Sequence, residues 1–177
     1  MVNLSISVDM IPKKERYIEK KDIVYISVTF DDDTKVRDFV KKMFVNFGFK
    51  RNAVIIEDAS LNNYTDYFQN TRYLILGQSI IATDVAHNDI LNIISNWCFY
   101  EVNASIYLME NNFECFNVSA NEKISSRYSS KDFISLFEEN ATISIHQELD
   151  YTVNICCKKR TFNILWEILK KENFNLL

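Results

Sequence analysis

The sequence is short of glycine, proline and histidine, with two Gly, one Pro and two His in 177 residues. A phosphate-cradling loop, a dinucleotide fingerprint or a nucleophile elbow needs Gly at fixed offsets, and Gly48 and Gly77 cannot supply them. The same scarcity excludes collagen-like and linker-type chains. His87 and His146 lie far apart and no Cys-x2-Cys occurs, so a zinc site is not expected and no cofactor is implied. No apolar run approaches the ~18 residues of a membrane-crossing helix, so no membrane partner is expected. In the opening stretch MVNLSISVDMIPKKER the charges follow the apolar part, the reverse of a secretion signal.

Apolar residues make up 47% of the chain and charged residues 25%, which excludes a disordered polypeptide and supplies a core. The length suits one domain spanning 1–177, and a seam, if there is one, falls in the polar loop 58–71. Cys156 and Cys157 are adjacent, and neighbours in a strand point to opposite faces. Together with Cys98 and Cys115 they are expected to be free thiols in a reducing cytoplasm.

Charge is unevenly spread. Residues 1–60 carry a net +1, residues 61–157 a net −8 and residues 158–177 a net +3. The acidic middle repels nucleic acid phosphate, so no nucleic-acid partner is expected, and it favours a basic protein. The basic runs Lys13-Lys14-Glu15-Arg16, Lys20-Lys21 and Lys158-Lys159-Arg160 are short and read as solvated turns.

Periodicity gives the elements. Leu4, Ile6, Val8 and Met10 alternate with polar residues in a half-buried strand. Pro12 to Lys21 reads as a connection, and Asp22 to Phe30 as a second strand. Asp31-Asp32-Asp33 opens a helix whose face holds Val36, Phe39, Val40, Met43, Phe44 and Phe47, with Gly48 as its stop. That role explains the three aspartates better than a cation loop does. Ala53 to Glu57 is a third strand. Gly77-Gln78 between two apolar runs marks a type II′ hairpin. Thr83-Asp84 is expected to cap a helix bearing Ile90, Ile93, Ile94 and Trp97. Asn111-Asn112 reads as a hairpin between Val102–Glu110 and Phe113–Ser119, pairing Tyr107 with Phe116. Ser129-Ser130 caps a short helix with Phe133 and Phe137. The last hairpin is expected to face Ile143, Ile145, Tyr151, Val153 and Ile155 inward and Thr142, Ser144, His146, Thr152 and Asn154 outward. A final helix carries Phe162, Leu165, Trp166 and Leu169.

The expected fold is α+β, with antiparallel β-hairpins alternating with helices. It comprises about four strand–strand–helix units plus one extra strand, with helices packed on one face.

No catalytic constellation emerges, and the chain leans away from enzyme chemistry. Cys156 is expected opposite Thr142, roughly 14 Å from His146 at ~3.4 Å per residue, too far for a nucleophile–base pair. The stronger signal is an acidic-aromatic surface. Glu101, Tyr107, Glu110, Glu114 and Phe116 on the Asn111-Asn112 hairpin form one candidate partner-binding patch, and Tyr64, Asp66 and Tyr67 form another. A helix covering that hairpin face would make it core instead.

The expectation is a cytoplasmic protein-binding inhibitor of the immunity type, neutralising a basic toxin such as a nuclease by opposite charge. The alternatives are a small enzyme or small-ligand domain built from scattered acids, Tyr and His146, which a deep polar pocket would favour, and a structural subunit of a larger assembly.

Overall fold

Alternating apolar and polar residues assemble, among the described residues, one nine-stranded sheet in the order β4-β5-β3-β6-β7-β8-β2-β1-β9. The computed structural model describes residues 2–13, 16–47, 51–57, 64–96, 103–109, 129–147, 151–171 and 175–176. The strands are β1 (Asn3–Lys13), β2 (Arg16–Thr29), β3 (Arg51–Glu57), β4 (Tyr73–Leu76), β5 (Ser79–Thr83), β6 (Asn103–Met109), β7 (Ala141–Gln147), β8 (Thr152–Lys158) and β9 (Asn175–Leu176). The helices are α1 (Asp33–Phe47), the short α2 (Tyr64–Tyr67), α3 (His87–Ser95), α4 (Ser130–Asn140) and α5 (Lys159–Leu169). β1 to β8 pair antiparallel, and β9 pairs parallel with Asn3 and Leu4 of β1. The chain is therefore α+β, as its pattern predicts.

Register partners share a face, so the two faces can be read across the strands. One row runs Ile6, Ile26, Ile155, Ile145, Ile106, Val54, Ala82 and Tyr73. This row is apolar throughout, and its face is covered by α1 (Phe39, Met43), α3 (Ile90, Ile93) and α5 (Leu165, Leu169). Each fully buried Ile or Leu contributes about 1.5–3 kcal/mol, so this layer dominates the core.

The adjacent row, on the second face, runs Ser5, Ser27, Asn154, His146, Ser105, Ile55, Ile81 and Leu74. It changes from polar to apolar between β6 and β3. Helix α4 covers the apolar end, packing Phe133 and Phe137 onto Ile55, Ile81 and Tyr107. The expectation that all helices share one face is thus corrected. The second face also carries an apolar patch, and one helix is needed to bury it.

Three local features differ from the sequence reading. First, the expected connection at Pro12 is ladder, with Pro12 opposite Tyr17 and Lys13 opposite Arg16. Proline is tolerated there because, among the described residues, nothing pairs with the outer edge of β1 beyond Leu4. The ladder breaks where Val8 pairs with Val24 and Met10 with Glu19, setting residues 20–23 opposite Asp9 alone. Asp9 (φ 58°) and Asp22 (φ 62°) both take the left-handed conformation. The Asp22 N–H donates to Asp9 Oδ1 at 2.8 Å, and Lys159 Nζ reaches Asp9 Oδ2 at 2.6 Å. The hairpin arm beyond this bulge is thereby tied to the start of α5.

Second, Thr83-Asp84 does not cap α3. The N-cap is Ala86, while Asp84 takes a left-handed φ of 49°. The segment is held from outside instead. Val85 N–H donates to Asn52 Oδ1 at 2.8 Å and Ala86 N–H to Thr71 Oγ1 at 2.8 Å.

Third, both edges of β6 are taken. Tyr107 lies between Ala53 of β3 and Ser144 of β7. The expected hairpin partners Phe116 and Glu114 lie outside the described residues, as do Gly48, Trp97, Cys98 and Cys115.

The other signals are local and are found where expected. Gly77 has φ +62° at the β4–β5 turn, as a type II′ turn requires of its first central residue. Asp132 Oδ2 accepts from the Ser129 N–H at 2.7 Å and the Ser129 hydroxyl at 2.8 Å at the start of α4.

Candidate functional site

The acidic-aromatic candidates divide by burial. Tyr107 is 1% exposed, and its ring lies 5.5 Å from that of Phe137 beneath α4. Burial, reinforced by the charge of Glu138, holds its hydroxyl above the ordinary tyrosine range. Tyr67 is 9% exposed and belongs to the core beside Phe68. Both rings are core rather than surface. Asp66 is exposed on α2, and its carbonyl accepts from the Asn92 side chain. Tyr64 opens the same short helix. Glu101, Glu110, Glu114 and Phe116 lie outside the described residues.

A different site is assembled on the second face, where α4 ends and the apolar patch gives way to polar residues. A cavity of about 670 Å³ opens there, between the hairpin arm, the β8–α5 junction and the end of α4. Its floor holds Ser144 and His146 of β7 and Cys156 of β8. The arm contributes Ile11, Lys20 and Lys21, the β8–α5 junction Lys158, Lys159 and Arg160, and α4 Glu138 and Glu139.

The floor is set by cross-strand pairing. Cys156 pairs with Ser144, not with Thr142, and His146 pairs with Asn154. Cys156 and His146 are therefore diagonal neighbours, with Cβ atoms roughly 7–8 Å apart rather than roughly 14 Å. They share the floor without reaching hydrogen-bond distance. His146 Nδ1 lies 2.9 Å from Ser105 Oγ, and the ring meets that of Tyr107 edge-on at 5.5 Å. With Nδ1 engaged, Nε2 is the ring nitrogen left to meet a bound group.

Electrostatics keep this floor neutral. Burial pushes His146 down to about 4, so the imidazole is uncharged at pH 7. Burial, with the charge of Glu138, pushes the Cys156 thiol up to about 11, while Lys20 and Ser144 pull the other way. A nucleophilic cysteine needs a thiolate near neutral pH, and Cys156 is a protonated thiol there. The floor offers hydrogen-bonding groups, not an activated nucleophile.

The cavity wall is basic because of register. Ile23 pairs with Lys158 in antiparallel strands, so the residues just before Ile23 and just after Lys158 arrive at the same end of the sheet. Lys20-Lys21 and Lys158-Lys159-Arg160 thus meet around one concavity, although more than 130 residues separate them in sequence. Read singly, each run looks like a solvated turn, and no local signal marks their meeting.

One further buried polar group, Asp89, serves the fold. Asp89, 2% exposed, accepts from the Asn70 N–H at 2.9 Å, the Asn70 side chain at 3.1 Å and the Gln69 N–H at 3.2 Å. Burial raises its pKa, but these donors and Thr71 outweigh it and hold the carboxyl below its ordinary value. It anchors the segment before β4 onto α3.

Among the described residues no cluster of three or more His, Cys, Asp or Glu is placed to hold a metal, and no helix is long and apolar enough to cross a membrane. No protein family, curated protein or solved structure matches this chain.

Proposed function

We propose that this protein is a small-ligand-binding domain whose site is the cavity over Ser144, His146 and Cys156. The observation that carries this reading is the convergence of polar groups on one concavity of the second face, beside the apolar part that α4 closes. Its volume of about 670 Å³ falls in the range of small-molecule sites, about 300–1,000 Å³. Neutral His146 and protonated Cys156 suit recognition better than covalent catalysis. We read residues 1–177 as one domain, since a single sheet runs from β4 to β9. The free, adjacent Cys156 and Cys157 suit the reducing cytoplasm.

The test is a thermal-shift screen of a chemically diverse small-molecule library. Compounds that raise the melting temperature of the native chain are expected, and they should lose the effect in Cys156→Trp, which fills the floor. The variant's own cooperative melt checks that it folds. A library without hits, or hits that survive Cys156→Trp, contradicts the reading.

The second reading is the immunity-type inhibitor of a basic protein. It is favoured by the net −8 of residues 61–157 and by the exposed carboxylate of Asp66. Tyr107 and Tyr67 are no longer among its contact residues, which leaves Glu101, Glu110, Glu114, Phe116, Tyr64 and Asp66. Capture of one basic protein from the source cells, weakened by salt and by Glu101→Lys/Glu114→Lys, supports it. A complex indifferent to both changes refutes it.

A further inference from the structure

The wall of the cavity narrows the class of ligand, if the cavity is the binding site argued above. Five basic side chains line it against three acidic ones. One pair of cations comes from the arm and three from the β8–α5 junction, so the basic groups flank the site from two separate elements. Of the three acids, Glu138 and Glu139 lie on α4, which contributes no cation, and Asp22 follows the arm lysines on β2. A negatively charged group is therefore drawn away from α4, toward the arm and α5.

The size of that charge also matters. A single carboxylate is satisfied by one guanidinium or ammonium. Cations approaching from two elements suit a group with more than one negative charge and acceptors on several sides, which describes a phosphate monoester. Ile11, Ile23 and Ala141 supply apolar wall. Inorganic phosphate would leave that wall and most of the volume unused. An organic remainder buries apolar surface there, at about 25 cal/mol per Å². His146, uncharged and held through Nδ1, presents one ring nitrogen to this remainder.

We propose that the cavity binds a small organic phosphate, with its phosphate between Lys20-Lys21 and Lys158-Lys159-Arg160 and its apolar part against Ile11 and Ile23. Of the acidic middle of the chain, Glu138 and Glu139 reach the cavity, on its α4 side, while the two basic runs come from outside that stretch and meet through the fold.

The experiment is calorimetric titration of the full chain with phenyl phosphate, benzoate, benzyl alcohol and single-stranded oligodeoxynucleotides of increasing length. Phenyl phosphate is expected to bind at least tenfold more tightly than benzoate and more tightly still than benzyl alcohol. Lys20→Glu/Lys21→Glu should weaken phenyl phosphate at least tenfold while leaving the melting temperature unchanged. Benzyl alcohol binding as tightly as phenyl phosphate overturns the phosphate inference and leaves the binding-site reading standing. Oligonucleotides whose affinity exceeds that of phenyl phosphate and grows with length overturn it in favour of a nucleic-acid groove. If none of the probes binds, the phosphate inference fails, and the library screen decides the binding-site reading separately.

Discussion

The second face of the sheet is two surfaces built on one backbone. Over β4, β5, β3 and β6 it presents Leu74, Ile81, Ile55 and Tyr107, and α4 seals it with Phe133 and Phe137. Over β7, β8 and β2 the same rows continue as His146, Asn154 and Ser27, and as Ser144, Cys156 and Tyr25. The β6–β7 ladder keeps its register from Ser105 to Leu108 and shifts only at Met109, so over those pairs the halves differ in side-chain chemistry. The apolar half is occupied by a helix because burial of aromatic rings outweighs the entropy of ordering it. The polar half gains little from such a cover and is left as the concavity where the basic runs meet. A sheet face can thus be core at one end and a polar-floored concavity at the other.

The largest expected effect is in the sealed half. Phe137, 1% exposed, touches both Phe133 and Tyr107. Phe137→Ala should cost about 3–5 kcal/mol in urea unfolding. A loss near zero would mean that α4 is not part of the cooperative core.

The next effect belongs to the boundary. His146 is depressed to about 4 in the folded protein, from an ordinary 6.5. Between these values the unfolded chain binds a proton that the folded chain does not, so stability rises with pH across that window and falls as pH drops through it. Urea unfolding at pH 7 and pH 5 should differ by about 1–2 kcal/mol from this group, and His146→Gln should remove that difference. An unchanged pH slope in His146→Gln would place the imidazole in a solvated environment and break the comparison.

In the polar half itself the effect should be smaller. Cys156→Ala removes one sulfur from the cavity floor and should cost about 1 kcal/mol or less. A cost matching that of Phe137→Ala would make this half ordinary core.

The smallest global effect is at the arm. The Asp9–Lys159 pair is solvent-exposed at both ends, and such pairs contribute little to stability. Its carboxyl is held below the ordinary range chiefly by the Lys159 hydrogen bond. Asp9→Asn should leave the melting temperature unmoved, yet speed hydrogen exchange of the Asp22 amide, which donates to Asp9. Unchanged exchange at Asp22 would show that the bulge, rather than the Lys159 contact, holds the arm.

The strand and helix content was legible because it rests on local signals. Ile143, Ile145, Val153 and Ile155 declare one face by period two, and Gly77 and Ser129 mark a turn and a cap. The cavity was not legible, for a related reason. Sliding β7 against β8 by two residues keeps every side chain on its face, so alternation cannot tell Cys156 opposite Thr142 from Cys156 opposite Ser144. The turn gives no help either, since its left-handed residue among those described is Tyr151 (φ 59°), not Gly or Asn. The meeting of Lys20-Lys21 with Lys158-Lys159-Arg160 depends on the β2–β8 pairing, which nothing in either segment announces. Tyr107 alternates like a surface residue because it shares its face of β6 with Asn103 and Ser105. It is buried by Phe133 and Phe137, which come from a helix starting 23 residues later.

The most direct test of the divided face uses the two histidines as paired reporters. His146 lies on the cavity floor, and His87 lies on α3, on the far side of the sheet, beside Phe44. In a histidine-edited NMR screen of a fragment library, the account predicts fragments that shift the His146 imidazole and leave His87 in place. A library that moves neither ring, or that moves both together, contradicts it.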